Sequence, residues 1–397
     1  GDVPFKQEST KADGSNIYLP VTDRDVIYDA IIEDLLEAAE YLPWVNQSGY
    51  TSERITKGFA KGLAARAALY RGGYSIRNKD GFPTERGDNW RHYYEIANEQ
   101  TREIIEAGIH RLNPSYASVW RNLNALQLDA AFNENLFEVA FGLGQHGEMG
   151  YSIGIRFNTN PKYGYGNNTN VVNTSAYYFY AFDREDVRRD ITVAYYTYGN
   201  GAVPQEFFQG NPLSFNFQKW DQRWMNDQWL TGNLAASNKR GYGINWAMMR
   251  YSDVLLMFAE TENALNGGPT AEAKDALTQV RRRAFSAASQ ATKVDSYVAS
   301  LNSEAAFFNA IVDERMFEFG GEAIRKFDLI RWNLLVDKIQ EQRETLAQMF
   351  VLRQHPLHGE LPQRIFYKFE DNNENIDRTS INFYDNMGIS LDEELQE

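Results

Sequence analysis

Apolar residues recur at helical spacing from Val26 through Ile27, Ile31 and Leu35 to Leu42, which predicts an amphipathic helix. Thr22 or Asp23 is placed to cap it, and Pro43 stops it. The stretch "TKGFAKGLAARAALYRGG" (56–73) predicts a second helix. Its Ala60, Leu63, Ala64, Ala67 and Ala68 make a small-residue face that lets a neighbouring helix approach closely, and Gly72 and Gly73 end it. A third helix is expected from Trp90 to Glu106, before Gly108. The three starts fall near 23, 56 and 89, a period of about 33 that suggests tetratricopeptide-type arrays. The consensus residues of such arrays are absent, so the expectation is an irregular helical stack.

The pattern changes after "NENLFEVAF" (133–141), which reads as a short strand. Between 145 and 243 no helical period is sustained, and 20 of the 99 residues are Phe, Tyr or Trp. Disordered segments are poor in aromatics, so a folded, loop-rich and functional region is expected. Helical spacing returns in "WAMMRYSDVLLMFAETENAL" (246–265), in "AEAKDALTQVRRRAF" (271–285) and in a pair from about Ser303 to Gln348. The tail is mixed, with "RIFYKF" (364–369) a strand. The resulting fold class is mainly α: an irregular α–α superhelix of tetratricopeptide-like helix pairs, plus a loop-rich, aromatic-rich region with a few short strands. Its divisions are 1–130 (helical), 131–245 (aromatic loops, the expected ligand-binding region), 246–350 (helical scaffold) and 351–397 (mixed tail), all parts of one unit.

Composition narrows the function. Across 397 residues there are 40 Lys and Arg against 54 Asp and Glu, a net charge of −14. Nucleic acid, which needs a basic face, is a poor partner for such a chain. With no cysteine, disulfides, thiolate zinc sites and cysteine nucleophiles are excluded. No apolar run is long enough to span a bilayer as a helix.

Several motifs resemble catalytic or metal sites. "GYSIG" (150–154) fits the G-x-S-x-G nucleophile elbow, but the residues around it supply neither the preceding strand nor the following helix. His355 and His358 in "HPLHGE" are separated by Pro356, which removes the helical geometry of a paired-histidine metal site. The oxygen-rich "NKDGFPTERGD" (78–88) lacks the full spacing of a calcium loop, and bound calcium there is the alternative to having no cofactor. The carboxylates of "ETEN" (260–263) are expected to be exposed or ion-paired. In "EFGGEAIRKFDLIRW" (318–332), Ile324, Phe327, Ile330 and Leu334 mark an apolar face. Arg325, Asp328 and Arg331 follow at steps of three, so Asp328 can pair with both arginines, and Gly320 and Gly321 break the chain between two helices.

The strongest aromatic cluster is "FNFQKWDQRWMNDQWL" (215–230). Trp220, Trp224 and Trp229 stand there among Asp221, Arg223, Asn226, Asp227 and Gln228, a mixture suited to stacking on sugar faces and bonding their hydroxyls. Trp224 and Trp229 are the expected exposed pair; the structural alternative packs the tryptophans beneath the loops. Tyr163, Tyr165 and Tyr198, in loops rich in Gly and Asn, are further candidates.

"ERMFEFGGEAIRKFDLIRW" (314–332) resembles the helix-pair signature of SusD/RagB-type proteins, and "MRYSDVLLMFAETEN" (249–263) resembles another of their helices. "TKGFAKGLAARAALY", "NWRHYYEIANEQTREIIEAGIHRLNPSYASVW", "NENLFEVAF" and "FDREDVRRDIT" are similar to further landmarks in the family's order. The resemblance implies a non-enzymatic, nutrient-binding lipoprotein on the extracellular face of a Bacteroidota-type outer membrane. Such a protein binds oligo- or polysaccharide and serves as a lid on a SusC-like TonB-dependent transporter in polysaccharide utilization. A peptide or other oligomer is the alternative ligand, and a surface glycoside hydrolase the remote one. Family members ordinarily carry a lipidated cysteine and a long stretch before a "GDVP" segment like the one at Gly1, so the lipid attachment is expected outside this chain. The usual endings of the family are also missing, and "LPQRIFYKF" stands in that place.

Overall fold

The structure is a computed structural model that describes residues 1–143, 147–156, 171–198, 204–207, 213–221, 224–225, 242–354, 366–368 and 382–384. Strands β1 (Val3–Pro4) and β2 (Val21–Thr22) pair ahead of helix α1 (Arg24–Tyr41). Asp23 caps α1 by accepting from the Asp25 amide at 2.7 Å. Helix α2 (Lys57–Arg71) is capped by Thr56, whose hydroxyl accepts from the Phe59 amide. The hairpin β3 (Tyr74–Ile76)–β4 (Thr84–Arg86) leads to α3 (Trp90–Ala107). Gly108 ends α3 in the left-handed conformation, φ 65°, that favours glycine.

The small-residue face of α2 does what its spacing predicts. Ala60, Ala64, Ala65 and Ala68 are fully buried, and α2 packs against both α1 and α3. Helix α1 departs from its pattern. It buries Ile32 and Ala39 and packs Tyr28 and Leu36 inward, whereas Val26 is 56% exposed and Ile31 38% exposed. Apolar residues lie on more than one side of this helix, and its neighbours select the Tyr28–Ile32–Leu36 face.

Helix α4 (Tyr116–Asn124) and strand β5 (Asn135–Val139) follow. Next come β6 (Asn173–Thr174), α5 (Ala176–Ala181), α6 (Arg189–Thr192), β7 (Val193–Ala194), β8 (Tyr196–Tyr198), β9 (Pro204–Phe207) and β10 (Phe215–Phe217). Strands β6, β10 and β7 form a three-stranded antiparallel sheet, and β8 pairs with β9. The stretch expected to be helical from Trp246 is a strand first. Strand β11 (Trp246–Arg250) pairs antiparallel with β5, and only then does α7 (Tyr251–Asn266) begin.

Helix α8 (Ala271–Arg282) is followed by two short turns, α9 (Ala287–Gln290) and α10 (Tyr297–Ser300), joined by a π-helical segment. Sequence spacing gave no sign of this piece. The expected pair after Ser303 is three helices: α11 (Glu304–Glu318), α12 (Arg325–Arg331) and α13 (Leu335–Leu346). In the tail, β12 (Phe366–Lys368) pairs with β13 (Asn382–Tyr384), which places a strand within "RIFYKF". The fold is mainly α with short strands.

Two large apolar cores result among the described residues, beside two small clusters. One lies among α1, α2, α3, α7, α8 and α11, and includes Phe59, Leu69, Leu255, Leu277 and Ile311. The other gathers Tyr116, Trp120, Phe179, Phe215, Trp220, Tyr242 and Ile244 beneath the aromatic segment. No helix among the described residues is long and apolar enough to cross a membrane.

Candidate functional site

A cavity of about 430 Å³ opens where the border of the aromatic segment meets the last three helices. One wall comes from β6, α5 and β10: Asn173, Thr174, Ser175, Tyr177, Tyr178 and Phe217, with Leu213 at the rim. The facing wall is Met316 on α11, Gly320 and Gly321 just after it, Arg325 and Leu329 on α12, and Lys338, Ile339 and Gln342 on α13. The volume lies in the range of small-molecule sites.

Local packing fixes these groups. The Tyr178 hydroxyl donates to the Met316 carbonyl at 2.8 Å, and burial pushes its pKa well up, so it stays a neutral donor. A Cβ added at Gly320 would lie 1.9 Å from that hydroxyl oxygen. Gly321 has φ 82°, and a Cβ there would sit 2.9 Å from the Phe217 ring. The glycine pair therefore does more than break two helices: it lets the chain pass flat against two aromatic side chains. Gln342 donates to the Ser175 hydroxyl at 2.9 Å, and Tyr177 donates to Glu341 at 2.8 Å. Arg325 donates from Nη1 to the Val312 carbonyl at 2.6 Å. Aromatic faces beside hydrogen-bonding amide, hydroxyl and cationic groups can hold a ring-shaped polar ligand. Among the described residues the lining contains no carboxylate and no histidine.

Behind this cavity lies a buried ion network. Glu318 accepts from Arg250 at 2.7 Å, Arg283 at 2.6 Å and Arg188 at 3.1 Å. Glu322 accepts from Lys219 at 2.6 Å and Arg250 at 2.8 Å, while Glu134 binds Arg250 and Arg283. The surrounding arginines hold the Glu318 carboxyl well below the usual carboxylate range, although burial alone would raise it. A second cluster joins Asp253 to Arg66 and Arg315, Asp328 to Arg315 and Arg331, and Glu260 to Arg331. Asp328 thus pairs with two arginines, but they are Arg315 and Arg331, not the Arg325 that spacing suggested. The short α12 turns Arg325 toward the cavity, and the crossing of α11 delivers Arg315 instead. The apolar face expected on α12 is corrected likewise. Phe327 is 51% exposed, while Asp328, Leu329 and Arg331 face inward. Glu260 and Glu262 are ion-paired, as expected of "ETEN", the latter with Arg102 at 2.8 Å.

The tryptophans divide. Trp220 is 1% exposed, stacked at 5.5 Å and 3° on Trp246 and edge-on to Trp120 at 5.6 Å. Trp224 is 6% exposed, in the same core. Neither presents the open face that a sugar platform needs; both take the structural alternative, because the apolar side of β10 and α4 lies beneath them. Asp221 is fully buried beside them, its amide donating to Asn124. Arg223, Asn226, Asp227, Gln228, Trp229, Tyr163 and Tyr165 lie outside the described residues. Tyr198 closes β8, and its side chain is likewise outside the description. Tyr177, Tyr178, Phe217, Arg325 and Gln342 were not singled out from sequence as ligand-facing. The run "AYYFYAF" (176–182) held the one usable signal, an aromatic cluster two turns long, but its apolar spacing equally fits a core helix.

The other motifs resolve as follows. "GYSIG" forms a turn: Gly150 has φ 80°, Met149 bridges Ile153, Ser152 donates to Glu148, and no helix follows through residue 156. In 78–88 the ammonium of Lys79 binds Glu85 at 2.7 Å. His355 and His358 lie outside the described residues, among which no cluster of three or more His, Cys, Asp or Glu is arranged to hold a metal.

Comparison with known proteins adds a lineage. SusD-like protein P25 of Formosa agariphila is 40% identical over 111 residues, 28% of this chain and 20% of that protein. SusD-like protein P2 of the same organism is 26% identical over 345 residues, 84% of this chain and 61% of P2. The chain thus spans about three fifths of the length of P2. A SusD homolog from Bacteroides thetaiotaomicron superposes with a TM-score of 0.69 at 24% identity, over 85% of this chain and 65% of that one. Surface glycan-binding protein A from the same organism, in complex with laminarihexaose, superposes at 0.53 with 17% identity, over 79% and 62%. These two likenesses concern the fold. The model of the SusD family matches residues 133–393, two thirds of the sequence, and the chain belongs to that family.

Proposed function

We propose that this chain is the ligand-capturing part of a cell-surface glycan-uptake system. It binds oligo- or polysaccharide without cleaving it and passes it to a SusC-like TonB-dependent transporter in the outer membrane, where an amino-terminal lipid anchors the protein. The observation that carries this reading is the match to the SusD family over residues 133–393. It is supported by a structural neighbour in complex with laminarihexaose, and by a cavity that sets aromatic faces beside hydrogen-bonding groups. Trp229, Asn226, Asp227, Arg223, Tyr163, Tyr165 and Tyr198 are proposed to extend the contact along the aromatic loops. Trp220 and Trp224 belong to the apolar core and are proposed to act in stability, not in ligand contact.

Affinity electrophoresis of the protein against a panel of glycans tests the proposal. At least one glycan is expected to retard it, and Trp229→Ala to weaken retention about tenfold, on the order of 1.4 kcal/mol, with melting unchanged. Trp224→Ala is expected to lower the melting temperature instead. Retardation by peptides alone, or release of reducing ends from a bound polysaccharide, would overturn the reading. Co-purification with an outer-membrane transporter from detergent extracts tests the partnership.

A further inference from the structure

Each arginine of the buried clusters behind the cavity meets a carboxylate, including Arg188, Arg250, Arg283, Arg315 and Arg331. Arg325 differs. Among the described residues it makes no ion pair, and its one hydrogen bond runs from Nη1 to the Val312 carbonyl. That bond leaves the Nε–Nη2 edge of the guanidinium free, and Arg325 lines the cavity. Two parallel N–H groups on one edge match the two oxygens of a planar carboxylate.

The other charges nearby do not take this edge. Lys338 and Glu341 satisfy each other at 2.7 Å. Asp328 is occupied by Arg315 and Arg331, and Asp313 on α11 acts on Arg325 through its charge without a direct ion pair. Burial pushes the Arg325 guanidinium down from its ordinary value, against the opposing pull of the Asp328 and Asp313 carboxylates. The rest of the wall is suited to the body of a sugar: Tyr177 and Phe217 offer ring faces, and Gln342 is held by Ser175.

We infer that this cavity is a subsite for an acidic sugar, in which Arg325 receives the carboxylate of a uronic acid residue and the aromatic wall receives its ring. The inference rests on the glycan-binding reading and names the class of glycan.

The test is calorimetric titration of the protein with a uronate-containing oligosaccharide, its neutral reduced counterpart and a sulfated neutral oligosaccharide of the same length. The uronate is expected to bind at least tenfold more tightly than the neutral form. Arg325→Gln should abolish that difference, and Arg325→Lys should restore part of it. Because Arg325 also ties α12 to α11, Leu213→Trp serves as a second variant. It narrows the cavity from an exposed rim position, leaves Arg325 untouched, and should weaken uronate binding in a protein of unchanged melting temperature. If neither oligosaccharide binds, the glycan-binding reading itself fails. Equal binding of uronate and neutral forms, unmoved by Arg325→Gln, overturns the acidic-sugar inference while glycan binding stands. Tighter binding of the sulfated form would overturn the carboxylate as the recognised group. Uronate binding unaffected by Leu213→Trp would overturn the location.

Discussion

Asp328 and His110 show how a buried polar side chain is accommodated in this molecule. Asp328 is 2% exposed and accepts from Arg315 at 2.7 Å and Arg331 at 2.9 Å. Removing its charge leaves two guanidinium groups short of a partner, a loss of about 3–5 kcal/mol for a buried pair. Asp328→Asn is therefore expected to lower the urea midpoint strongly, while glycan affinity per folded molecule stays constant; lost affinity at unchanged melting would refute a purely structural role. His110 is fully buried. Its Nδ1 bonds the Asn133 carbonyl at 2.7 Å, its Nε2 has no partner, and burial pushes its pKa below the ordinary 6.5. As pH falls through about 6.5, the unfolded chain gains a proton that the folded protein refuses. Stability is then lost, by at most about 1.4 kcal/mol per pH unit, until the depressed folded value is reached. Urea midpoints measured from neutral pH to about pH 5 should fall less in His110→Gln than in the parent. At this scale the sequence foretold ion pairing around Asp328 but misassigned one partner. Spacing along one helix cannot reveal which arginine a second helix brings across.

Elements packed against glycine give a second set of expectations. A Cβ at Gly62 on α2 would meet the sulfur of Met249 at 2.5 Å, the movable end of a flexible side chain. A Cβ at Gly73 would meet Arg331 Cβ at 2.7 Å and the Leu69 carbonyl oxygen at 2.9 Å, neither of which yields easily. Gly73→Ala should thus cost about 1–3 kcal/mol and exceed the cost of Gly62→Ala, as thermal melts of the two variants can check. Helix α2 was legible because its alanines are nearly unbroken. The start of α7 was not, because Trp246–Arg250 carries enough apolar residues to satisfy a helical pattern while its backbone pairs with β5. A five-residue strand feeding directly into a helix has no Gly or Pro to announce the change.

Across the whole molecule, the two apolar cores meet at the ion clusters. Among the described residues around Glu318, five carboxylates (Glu134, Asp186, Glu314, Glu318 and Glu322) face five cations (Arg188, Lys219, Arg250, Arg281 and Arg283), a balanced set. Buried pairs of this kind are little screened by salt. The melting temperature should accordingly shift only slightly between about 0.05 and about 0.5 M sodium chloride; a drop of many degrees would mean that exposed pairs carry the stability. Family and helical architecture were legible because the charged signature survives in the sequence as a contiguous string. The cavity was not, because its walls come from β6, α5, β10, α12 and α13, and only tertiary packing brings Tyr177 near Gln342.

The glycine pair at 320 and 321 gives that cavity a floor that cannot be redesigned, beneath a rim that can. Any side chain at Gly320 collides with the Tyr178 hydroxyl, so the backbone there sets a fixed floor. Asn173, Leu213 and Ile339 lie around the same space at the surface and bear little of the core. Efforts to retarget the protein to a different ligand should confine their libraries to those three positions, where a change of shape would leave the floor in place.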